Sequence, residues 1–126
     1  MSKPLIIGII ITVIVVTCLG AIAIEAQTTI LHRAYDNFVL DNKHHYLPCE
    51  KLHQEAEVRQ IVQEHQDMIQ AIEGVNPGFV GIEIDTSCPG KADLVIWYAS
   101  HENRMKIEKI INNDTFFGVP YTLNNR

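Results

Sequence analysis

The chain has 126 residues and a formal net charge of −5, with 47% apolar and 20% charged residues. This composition excludes wholesale disorder, and the length suits one globular domain rather than two. An acidic balance without a basic stripe argues against a nucleic-acid partner. No nucleophile, base and orienting group stand at usable spacing, so catalysis is not expected.

Residues 1–4 form a short tail carrying Lys3, the only charge before Glu25. Residues 5–24 read LIIGIIITVIVVTCLGAIAI, without a charge. A helix of about 20 residues spans the roughly 30 Å hydrocarbon core of a bilayer and satisfies its own backbone hydrogen bonds. Ala21-Ile22-Ala23 has the small residues of a signal-peptidase site, and Cys18 follows Thr17 where a lipoprotein signal needs a smaller side chain. The apolar run exceeds the 7–15 residues of a signal core, which favours a retained anchor. Gly8, Thr12, Val16 and Gly20 recur every four residues, a stripe on which a second membrane helix could pack closely.

Residues 25–48 read as a juxtamembrane helix and linker. A helix is expected from Glu25 to about Leu40, with Ile24, Leu31, Tyr35 and Phe38 on one apolar stripe facing the following domain or another subunit. Asp41 to Pro48 reads as linker, because Pro48 keeps its predecessor out of helical geometry.

Residues 49–126 form the head. Glu50 to Glu73 is predicted as one long helix with Val58, Ile61, Val62, Met68, Ile69 and Ile72 inward, stopped by a left-handed Gly74 and by Pro77. Phe79 to Asp85 alternates as a half-buried strand, and Asp93 to Ala99 is a β-branched and aromatic run suited to a central strand. Ser100 can cap a second helix with Met105, Ile107, Ile110 and Ile111 inward, ended by Asn112-Asn113-Asp114. Val119, Tyr121 and Leu123 mark a last strand, at or beside an edge because Pro120 cannot donate a ladder bond. The order helix–strand–strand–helix–strand implies an antiparallel hairpin and a crossover return. The expected fold is α+β, a two-layer sandwich that resembles a ferredoxin-like fold lacking its first strand. The resemblance rests on element order alone, and such folds serve many functions.

Cys49 and Cys88 frame the long helix and the hairpin turn, and a disulfide between them is expected. It would place the head in an oxidising space (periplasm, exterior or lumen) and the amino terminus in the cytoplasm. Asn113-Asp114-Thr115 fits the glycosylation acceptor pattern. Six histidines raise an alternative, a copper or zinc site using His44, His45 and His53 beside Cys49. Against it, a disulfide sulfur is no ligand and no closed zinc spacing is present. Glu83, Asp85 and Asp93 cluster at the hairpin, where paired carboxylates could do acid/base work or bind calcium, but Glu83 and Asp85 fall on the outward side of their strand, which suits solvated carboxylates. Trp97, Tyr98, Phe116, Phe117 and Tyr121 concentrate in the last third, and those facing away from the helices would mark an interaction surface. The expected function is non-enzymatic and needs no cofactor. It is that of an accessory or assembly subunit, tethered in membrane lipid and bound to other membrane-protein subunits.

Overall fold

A computed structural model of the chain describes residues 2–126 and, within its first helix, all side chains except those of residues 25–28. Met1 of the expected tail lies outside the described residues. The chain divides into two compact units, one reaching Tyr35 and the other comprising Asp36–Arg126.

The first unit is helical. α1 spans Lys3–Thr28, and its stretch Lys3–Ile24, 22 residues, is long and apolar enough to cross a membrane. Every residue of that stretch is exposed, so the stretch has no core among the described residues. Thr29 takes a left-handed φ of 54°, an unusual value for a β-branched residue, and ends the helix. α2, Ile30–Phe38, then begins. The single helix expected from residue 25 to 40 is therefore interrupted at Thr29.

The head is α+β with a mixed sheet. Cys49–Lys51 forms a 3-10 turn, followed by β1 (His53–Gln54), α3 (Glu55–Glu64), α4 (Gln66–Glu73), β2 (Val80–Asp85), β3 (Lys91–Tyr98), α5 (His101–Ile111), β4 (Thr115–Phe116) and β5 (Val119–Asn125). β3 is central. It pairs antiparallel with β2 from Val80↔Tyr98 to Asp85↔Asp93, and parallel with β5 from Leu94↔Tyr121 to Tyr98↔Asn125. The short β1 adds a pairing at Ala92, and β4 forms a hairpin with β5. The expected hairpin, crossover return and central strand are thus present. β5 lies directly beside β3, with no strand between them. Pro120 sits opposite Thr115, ahead of the parallel ladder that starts at Tyr121, so its missing N–H costs the sheet nothing there.

The core lies on one sheet face. Leu94, Ile96 and Tyr98 of β3 are fully buried against Val58, Ile72 and Ile107 of the helices. Each such side chain stabilises by roughly 1.5–3 kcal/mol. Ser100 caps α5 by accepting the Asn103 N–H at 3.2 Å, and Asn112 ends it with a φ of 47°. Three expectations are corrected. The long helix starts at Glu55 rather than Glu50, and it breaks at His65 into α3 and α4. Gly74 ends α4 in right-handed geometry, with φ of −69°. Met105 points to solvent, while Asn103, Arg104 and Ile107 are buried and Ile110 and Ile111 pack against the core as expected.

Candidate interaction surfaces

Residues 36–48 are not a loose linker. They fold with the head as a strap. The Lys43 N–H donates to the Leu123 carbonyl at 2.9 Å, and the Leu123 N–H donates back at 2.7 Å. One residue away, the Asn125 N–H donates to Asn42 Oδ1 at 2.7 Å. Asp41 is the strap's polar anchor. Its Oδ1 accepts from Arg104 Nη1 at 2.9 Å and from His101 Nδ1 at 2.7 Å. Arg104, with a side chain only 6% exposed, also donates to Asn37 Oδ1. Its Nε lies 3.5 Å from Glu108 Oε1 and, like Asp41 Oδ2, has no hydrogen-bond partner among the described residues. The Tyr98 hydroxyl donates to the Asp41 carbonyl. Burial, reinforced by the Asp41 carboxylate, pushes the Tyr98 hydroxyl up to about 12.

The histidines are drawn apart, each to its own partner. His44 Nε2 lies 4.0 Å from the buried Asp36 carboxylate, which also accepts from the Tyr46 hydroxyl. His45 Nε2 is hydrogen-bonded to the buried Asp93, while its Nδ1 accepts the Leu47 N–H at 3.0 Å. That acceptance leaves the ring proton on Nε2, facing the carboxylate. His53 reaches the Gly118 carbonyl through Nε2 at 2.9 Å and Glu57 through Nδ1 at 3.1 Å. Cys49 is joined to Cys88 in a disulfide, with Cα atoms 5.5 Å apart. The copper or zinc reading of His44, His45 and His53 is therefore corrected: no group of three or more potential ligands converges among the described residues. Sequence spacing brought these histidines together, whereas the fold gives three of them separate carboxylates.

At the hairpin, Asp85 and Asp93 sit opposite each other across β2 and β3, and each has a different partner. Glu83 faces Arg126 at 3.3 Å, and Asp85 accepts the Ser87 N–H at 2.9 Å within its turn. Asp93 is buried and bonded to His45. An open polar hollow of about 350 Å³ is lined by Lys43, Glu108, Asn112, Asn113, Asp114 and Tyr121. Asn113 of the acceptor triplet is exposed on its rim.

The aromatic set separates into core and surface. Tyr98, Phe116 and Tyr121 are buried, so they are not part of an interaction surface; alternation and helix cover put them in the core. Burial also pushes the Tyr121 hydroxyl, which donates to the Asn113 carbonyl, up to about 12. Trp97 is half-buried on the opposite sheet face. It lies flat over Gly81, where a Cβ would fall 2.2 Å from the indole, and the Arg126 guanidinium sits 6.0 Å from its ring. Phe117 is 50% exposed at the tip of the β4–β5 hairpin. Phe117 and Gly118 have φ of 49° and 88°, the mirror-image geometry of a two-residue hairpin turn, which Asn-Gly usually supplies. The Phe117 ring stacks on His65, with centroids 3.5 Å apart and planes within 3°. This stack and the His53 bond to Gly118 hold a bulky residue in a conformation it disfavours.

On α1, Thr12 Oγ1 donates back to the Gly8 carbonyl at 2.9 Å. Nothing stands within 4 Å of a Cβ built at Gly8 or Gly20, so that side of the helix is open. Val16 lies on the same stripe and is exposed.

No family model, no curated protein and no solved structure matches this chain.

Proposed function

We propose that the protein is a single-pass, non-enzymatic accessory or assembly subunit of a membrane complex. Its amino terminus is cytoplasmic and its head extracytoplasmic. One observation carries the reading: Lys3–Ile24 is an apolar helix of spanning length with every side chain exposed. Only lipid or other membrane helices provide apolar cover over that length. The Cys49–Cys88 bond supports an oxidising compartment for the head. The open stripe Gly8, Thr12, Val16 and Gly20 suits a helix partner in the bilayer, and Trp97 and Phe117 suit contact by the head. The head is read as a ferredoxin-like sandwich lacking its first strand, a resemblance of element order that contributes nothing to the functional assignment.

The test is purification from native membranes in mild detergent, with identification of what co-purifies and sequencing of the mature amino terminus. Stoichiometric recovery of a membrane-protein partner, on a chain that keeps residues 5–24, is the expected result. A monomer without partners, or a mature chain beginning after Ala23, overturns the reading.

A further inference from the structure

Among the described residues, the apolar end of α2 at Phe38 and the Val39 and Leu40 that follow it stand exposed, and their place in the chain points to what covers them. At 3.6 residues per turn, Ile30, Leu31, Ala34, Tyr35 and Phe38 share one side of α2, and His32, Arg33, Asp36 and Asn37 share the other. A helix on a globular protein turns its apolar side to the core. The last turn of α2 does the reverse. Asp36 is buried under the Tyr46 hydroxyl, and Asn37 is bonded to the buried Arg104. Phe38 is 83% exposed, and the exposed Val39 and Leu40 follow it. Nearer the start of α2, Leu31 is 63% exposed and Tyr35 54%.

We infer that this apolar side of α2 lies in the headgroup region of the bilayer, making α2 an interfacial helix; the inference rests on the anchor reading above. Chain length sets the depth. α1 continues helically from Ile24 to Thr28, four residues that rise about 6 Å. Each headgroup layer is roughly 5–8 Å thick outside the hydrocarbon core. Thr29, whose φ of 54° ends the helix, therefore falls at the outer part of that layer. α2 starts one residue later, with too little chain before it to carry Ile30 far from lipid. Tyr35 and Phe38 are the residue types that settle at such an interface, and Asp36 and Asn37, the last polar residues of α2, are bonded within the head.

The experiment uses the full chain with Cys18→Ser, reconstituted at one copy per lipid nanodisc with the disulfide intact. An environment-sensitive fluorophore is attached in separate variants at V13C in the span, at F38C and V39C on the apolar side, and at Q60C on α3. Quenching by spin-labelled lipid is compared with quenching by aqueous iodide. The inference expects the labels at 13, 38 and 39 to be blue-shifted and quenched from lipid, and the label at 60 to be quenched only by iodide. Two sites on the apolar side guard against one variant disturbing α2. If label 13 is in lipid but 38 and 39 are quenched by iodide, the inference falls and the anchor stands. If 38 and 39 are shielded from both quenchers, protein covers the face and the inference also falls. If label 13 is itself in water, the anchor reading falls with it.

Discussion

Apolar side chains do opposite work in the two units. In α1, Leu5, Ile10, Val16 and Ile22 are all more than half exposed, and no packing within the chain rewards their presence. In the head, Val58, Leu94, Ile96 and Leu123 are fully buried in one core shared by helices and sheet. Similar residue types are therefore placed differently: the head buries them in a core by folding, and α1 leaves them exposed, as the proposed anchor requires. Whatever loosens the head should leave α1 helical in detergent or lipid, and the tests below exploit that separation.

The largest effect is expected at Arg104. Arg104→Ala leaves Asp41 without its buried partner and frees the strap, at a cost of about 3–5 kcal/mol. Urea unfolding of the head should shift to match, while the far-ultraviolet helical signal of α1 in micelles persists. If strap and head unfold separately in the native protein, the single transition expected for Asp36–Arg126 is wrong.

Removing the disulfide by C49S/C88S is expected to cost about 4 kcal/mol, since the bond closes a loop with a sequence separation of 39. The check is the denaturation midpoint of the double variant, compared with that of the reduced native protein. The two should coincide.

Alkaline pH should act on the head alone. Tyr98 and Tyr121 hold their protons to about 12 against a usual value of 10. Burial opposes the phenolate, so the folded state binds these protons more tightly than the unfolded one. The stabilisation is complete below pH 10 and is lost as pH rises from 10 through 12, by about 2–3 kcal/mol for each tyrosine. Ultraviolet titration should show Tyr98 and Tyr121 ionising late, together with unfolding of the head.

The smallest effect is a gain. Phe117→Asn suits the left-handed first position of the hairpin turn and should stabilise by about 1 kcal/mol, less the lost His65 stack. A destabilised variant in thermal melts would show that the stack outweighs the backbone strain.

Much of the head was legible because its signals are local. The β-branched run of β3 announced a central strand, Ser100 a cap, and the two cysteines their bridge. The break at His65 was hidden because Ile61, His65, Met68 and Ile72 stay in phase with one helix, so the apolar pattern runs through the interruption. The strap was missed because its attachment is polar and long-range. Nothing near Asp41 in sequence reveals a buried arginine 63 positions later, and an arginine on α5 reads as a solvent residue until its partner is known. The aromatic cluster was overread for a related reason. Alternation places Trp97 and Tyr98 on opposite faces, but only the tertiary cover shows which face is the core.

The attachment of the strap also sets how the head would respond to mechanical load. A pull on the chain ahead of Asp36 meets the Arg104 and Leu123 contacts first, and these can peel one after another. Peeling stops at Cys49, which is stapled covalently to Cys88. The released length, residues 36–48, extends to roughly 45 Å at most. The head therefore carries a short tear-away leash that lengthens under tension while the sheet behind it keeps its shape.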